Sequence, residues 1–156
     1  MANRRVAREH VLKTLYAMEL SGDSAEHIIN SVLNPGIEND AQTKEFAHRL
    51  FLRTLNHVND LDTEIQKLTA NWDLKRMAVI DRMVLRIAVC EFLYFEDIPA
   101  KVTINEAIEI VKKYSTEKSG RFVNGILDAI LENFKNDDRF KKTGRGLLDS
   151  TTGNKK

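Results

Sequence analysis

Residues 98–134, IPAKVTINEAIEIVKKYSTEKSGRFVNGILDAILENF, restrict this chain to helical architectures. Their apolar residues recur three and four apart in two runs. Ile104, Ala107, Ile108 and Val111 form one stripe; Phe122, Val123, Ile126, Leu127, Ile130, Leu131 and Phe134 form the next. That period puts each run on one face of an α-helix. Pro99 lacks an N–H and its ring clashes with a preceding helical turn, so the chain enters the first helix from a turn there. Thr103 and Glu106 have capping-box spacing, which predicts the helix start. A polar break over residues 115–120 separates the two helices. Asn105 and Asn124 lie beside the apolar faces and need polar partners wherever they are buried.

The same period extends through the rest of the chain. A first helix is expected over residues 3–20, with Val11, Leu12, Leu15, Tyr16 and Met18 as its apolar positions. Gly22 breaks it, and Asp23 or Ser24 can cap a short helix reaching residue 33. Asn34-Pro35-Gly36 is a turn signal. A third helix over residues 40–58 is expected to turn Phe46, Leu50, Leu52 and Leu55 inward. Residues 61–68 carry Ile65 and Leu68 as a further helix, Asn71-Trp72-Asp73 reads as a junction that Trp72 either anchors, the favoured reading, or leaves to face a nucleic acid, and residues 77–95 form a long helix. No segment alternates with period two for long enough to make a strand. The expectation is an all-α fold over residues 1–134. Residues 135–156 lack periodicity and are expected to form a mobile basic tail.

Several function classes are disfavoured. The 156 residues suffice for one domain with a core. The single cysteine, Cys90, cannot form an internal disulfide, and its neighbours Ala88, Val89 and Phe92 make it an inert buried thiol. His10, His27, His48 and His57 form no i,i+4 pair and have no cysteine cluster nearby, so no metal site is expected. No P-loop and no G-x-G-x-x-G occurs. No apolar run approaches the roughly 20 residues of a membrane span, and the start MANRRVAREHVLKTLY lacks the apolar stretch of a signal peptide. These features predict a cytoplasmic, non-catalytic protein without a cofactor.

Charge is distributed unevenly. Against a formal net charge of +1, the first eight residues carry +3 and residues 135–156 carry +4, which leaves the body at −6. An acidic helical body with basic ends suits an anionic partner at one or both ends. Arg4, Arg5 and Arg8 are three and four apart, so they cluster on one helix surface. They also lie at a helix N-terminus, where the macrodipole disfavours cations by roughly 0.3–1 kcal/mol each. A solvated first turn with Arg5 paired to Glu9 is the plain explanation, and phosphate binding is the functional one.

Four blocks, RRVAREHVLKTLY, DRMVLRIAVCEF, IPAKVTINEAIEIVKKY and RFVNGILD, resemble the NusB family of bacterial transcription antitermination factors in sequence and order. The resemblance covers about residues 3–134. It implies about seven helices in two helical subdomains, and binding to the boxA element of ribosomal RNA leader transcripts together with NusE, a small-subunit ribosomal protein. It implies further that the assembly rides on RNA polymerase and promotes ribosomal RNA transcription. The same domain occurs fused to some ribosomal RNA cytosine methyltransferases, but no glycine-rich loop for their cofactor is present here. The resemblance assigns Arg4, Arg5 and Arg8 to RNA, although Val6 interrupts the basic run that some members have. It also assigns Tyr16 and Asp81 to the NusE contact. Without the family, Tyr16 reads as a core residue with its hydroxyl at the surface, and Asp81 as a surface ion pair with Arg82, Arg86 or Lys75.

A second RNA-binding element is expected at the last helix start. Lys118 and Arg121 again oppose the dipole there, and Ser119 can cap the helix or touch a phosphate. Phe122 adjoins them and either stacks on an unpaired base or belongs to the apolar stripe. Lys75 and Arg76, beside Trp72, are candidate phosphate contacts. The competing functional class is a helical scaffold or homodimeric protein-interaction module, with its basic ends incidental.

Overall fold

The computed structural model describes residues 2–69 and 76–147. Seven α-helices occur among these residues, and no strand. They fall into two compact units, Met1–Asn56 and His57–Lys156.

The first unit holds α1 (Arg4–Ser21), α2 (Ala25–Ile28, continued by a wide π-helical turn, Ile29–Leu33) and α3 (Ala41–Asn56). Asn3 caps α1, its side chain accepting from the Val6 N–H at 3.1 Å. Gly22 ends the helix at φ +72° and donates its N–H to the Met18 carbonyl, a conformation that costs glycine nothing. Ser24, one of two residues expected to cap α2, accepts from the His27 N–H. Ala7, Val11, Leu12 and Leu15 of α1 are buried, as are Thr43, Phe46, Ala47, Leu50, Phe51 and Thr54 of α3, and the two helices pack together. Leu52 falls off that stripe and is 40% exposed, and Leu55 is only half-buried. Helix α3 also stops two residues sooner than its periodicity suggests, because His57 leaves helical geometry at φ −117°, ψ 17°. The starts of α1 and α3 are tied together: the Asn3 N–H donates to the Thr43 hydroxyl (2.8 Å), which donates to Asp40 (2.6 Å).

The second unit holds α4 (Val58–Gln66), α5 (Val79–Tyr94), α6 (Ala100–Tyr114) and α7 (Glu117–Asn136). Helix α5 packs against all three others and buries residues on nearly every face, as an apolar helix must. Phe92 of α5 meets Phe134 of α7 edge-on at 6.4 Å, and each such side chain contributes about 1.5–3 kcal/mol through burial. Cys90 is fully buried. Arg86 makes a paired contact with Asp62 of α4, at 2.7 and 2.8 Å.

The capping box expected at Thr103 and Glu106 does not form. Pro99 is the N-cap residue, α6 begins at Ala100, and Thr103 lies inside the helix. Its buried hydroxyl donates to the carboxylate of the fully buried Glu91 at 2.7 Å. The side chain that would have capped its own helix satisfies a carboxylate on another. Asn105 and Asn124 are exposed and need no internal partner.

Helix α7 runs two residues past Phe134. Asp138 then adopts φ +60°, and the N–H groups of Arg139 and Phe140 donate to the Phe134 carbonyl, a Schellman closure. Beyond it the chain packs onto the unit. Phe140 meets Phe92 edge-on, Arg139 donates to Glu64 (2.9 Å), and the Thr143 N–H donates to the Glu96 carbonyl. Lys142 is buried and its ammonium donates to the carbonyls of Glu91 (3.0 Å) and Phe95 (2.8 Å), at the C-terminal end of α5. Trp72 and the Asn71-Trp72-Asp73 junction lie outside the described residues.

Candidate nucleic-acid interface

Two helix starts carry the basic residues singled out in the sequence. On α1 the three arginines differ in setting. Arg5 is exposed and Arg4 half-buried, with the Arg4 guanidinium 4.5 Å from the centre of the Phe46 ring. Arg8 is only 4% exposed and lies over the same ring at 5.5 Å. Cation–π contact and burial of its stem therefore account for Arg8 within the unit. Arg5 presents the most open cation of the three.

On α7 the first turn is capped by Thr116, whose hydroxyl accepts from the Ser119 N–H at 3.0 Å. Ser119 itself points inward and donates to Asp81 at 2.8 Å. Gly120 is buried, and a Cβ built on it would stand 3.0 Å from Cγ of Lys112. Lys118 and Arg121 are exposed. Phe122 is half-buried and lies off the buried stripe of Gly120, Val123, Leu127, Ile130 and Phe134. This one turn thus shows solvent two cations and part of an aromatic ring, a combination able to hold a phosphate and stack a base.

Beside it, α6 and α7 enclose a groove of about 210 Å³ lined by Ile108, Lys112, Glu117, Gly120, Arg121 and Asn124. Sequence reasoning reached Arg121 but missed Lys112 and Asn124. Gly120 is the signal that could have found them, because a missing side chain between two helices lets α7 approach Lys112 closely.

The remaining candidates are scattered. Arg76 is exposed just before α5, and Lys75 lies outside the described residues. Tyr16 is 37% exposed on α1 and available to a partner. Asp81 is only 5% exposed and accepts the Ser119 hydroxyl; Arg86, one of its expected partners, is bound to Asp62. Among the described residues no group of three or more His, Cys, Asp or Glu could hold a metal ion, and no helix is long and apolar enough to cross a membrane.

Comparison with known proteins bears on these surfaces. The transcription antitermination protein NusB of Salinibacter ruber is 46% identical over 152 residues, covering 97% of this chain and 95% of that protein. Its counterpart from Chloroherpeton thalassium is 42% identical, over 94% and 70% of the two chains. The structure of T. maritima NusB superposes with a TM-score of 0.77 at 41% identity, covering 85% of this chain and 93% of that one. A crystal structure of antitermination factors NusB and NusE in complex with dsRNA superposes with a TM-score of 0.73 at 27% identity, over 83% and 96%. The model of the NusB family matches residues 5–132, and with relatives this close along nearly the whole chain, this protein belongs to the NusB family.

Proposed function

We propose that this chain is a transcription antitermination factor that binds boxA RNA of ribosomal RNA leader transcripts together with NusE and promotes ribosomal RNA transcription. It acts in the cytoplasm as a non-catalytic adaptor, within an antitermination complex on RNA polymerase. The observation that carries this reading is the likeness to a NusB in complex with NusE and dsRNA. It is supported by the first turn of α7, where Lys118 and Arg121 are exposed beside a half-buried Phe122. Arg5 and Arg4 on the first turn of α1 supply further phosphate contacts, and Arg76 is a lesser candidate. Arg8 serves mainly by bracing Phe46. Tyr16 is the partner-facing residue.

Titration of boxA RNA with and without NusE tests this directly. Binding should strengthen with NusE and weaken steeply with salt, because phosphate contacts release counterions. No binding at low salt with NusE present would overturn the proposal and leave a helical scaffold or homodimer as the alternative.

A further inference from the structure

Asp81 sits in the first turn of α5, buried, with one carboxylate oxygen accepting the Ser119 hydroxyl at 2.8 Å. Its other oxygen is buried and has no hydrogen-bond partner among the described residues. The helix N-terminus favours an acid here, but a buried carboxylate that uses half of its acceptors keeps part of its desolvation cost, which raises the worth of its one bond to Ser119. Ser119 joins three segments. Its N–H and hydroxyl both contact the Thr116 hydroxyl, at 3.0 and 3.2 Å, its hydroxyl lies 3.1 Å from that of Ser115, and it reaches across to α5. The next residue, Gly120, seals the turn against α6. Two small residues therefore face inward, while the flanking Lys118 and Arg121 face outward. Any roll or fraying of this turn would move both cations and Phe122 together.

We propose that Asp81 is a positioning residue for nucleic-acid binding: through Ser119 it fixes the first turn of α7 and so aims Lys118, Arg121 and Phe122. The inference rests on the RNA-binding role proposed above for that turn. The bond is short, runs from a hydroxyl to a carboxylate oxygen, and joins groups 38 residues apart.

The test uses the full chain as wild type, Asp81→Ala, Ser119→Ala, the double variant and Asp81→Asn. Affinity for boxA RNA is measured with saturating NusE and without it, well below each variant's melting temperature, alongside amide exchange of residues 118–121. Each alanine variant should weaken RNA binding roughly five- to thirty-fold and speed exchange in that turn. The double variant should bind no worse than the weaker single one, because both remove the same bond. Asp81→Asn keeps an oxygen that accepts from Ser119 and should recover most of the affinity. Wild-type affinity in Asp81→Ala, additive losses, or unchanged exchange would overturn the proposal. So would a loss confined to titrations containing NusE, which would mark Asp81 as a partner contact. A wild-type chain that binds no RNA overturns the functional reading itself, a result distinct from a wild type that binds and an Asp81→Ala that binds equally well.

Discussion

Gly146 has no room for a side chain. A Cβ there would lie 2.1 Å from the Glu96 carbonyl oxygen, so Gly146→Ala should cost about 1–3 kcal/mol through forced backbone movement, read as a lowered melting temperature. Asp138 presents the opposite case. Its φ of +60° is a left-handed conformation that glycine adopts freely. Asp138→Gly should therefore raise stability by about 0.5–1 kcal/mol in a chemical denaturation series. Asp40 has a carboxyl held below the ordinary carboxylate range, first by the Thr43 hydroxyl and then by the Thr43 N–H. Because the folded state holds the proton less tightly than the unfolded chain, the stabilisation is present above the unfolded value of about 3.9 and fades as pH falls below it. Asp40→Asn should remove that increment and flatten the acid limb of a stability–pH curve. At this scale the sequence is least informative. Arg8 reads as a surface cation until Phe46, 38 positions away, is brought beneath it, and Thr103 reads as a cap until Glu91 claims its hydroxyl.

Helices are far more legible than the contacts of single residues. Apolar spacing gives the order of the helices and both faces of the α6–α7 pair, because burial of a stripe dominates the energetics of an amphipathic helix. Ends are harder, since they depend on single caps: Pro99 rather than Thr103 starts α6, and His57 cuts α3 short. Aperiodic sequence after Phe134 gives no hint that Lys142 caps α5, because the tie is made by one side chain and two carbonyls. An ammonium at a helix C-terminus also meets the negative end of the dipole. Lys142→Met should cost about 1.5–3 kcal/mol, the typical worth of bonds to a charged group, seen as a lower denaturation midpoint with no change in helix content. Arg139 adds to this closure. Burial would raise the Glu64 carboxyl, but the hydrogen bonds from Arg139 and Lys67 outweigh it and hold the group below its usual value.

Across the whole molecule, charge rather than shape separates function from scaffold. An acidic body repels RNA except where its exposed cations gather, and that contrast was legible from the composition of the ends. The exposure of Lys118 and Arg121 on the same turn was not, because it depends on Ser119 and Gly120 turning inward. If both cations contact phosphates, Lys118→Ala with Arg121→Ala should reduce the slope of log affinity against log salt by about 1.4, at roughly 0.7 per contact on single-stranded RNA. A slope equal to wild type would remove both residues from the interface.

The chain emerging from a ribosome meets these two units unequally. All the helices of the first are available once residue 56 has been made, so it can fold while the rest is still being synthesised. The second cannot be finished when its last long helix appears: the carbonyls of Glu91 and Phe95 wait for an ammonium made some fifty positions later. At a synthesis rate of about 5–20 residues per second, α5 stays uncapped for seconds, and a premature stop just after α7 would release a chain with the seven described helices and an unlocked core.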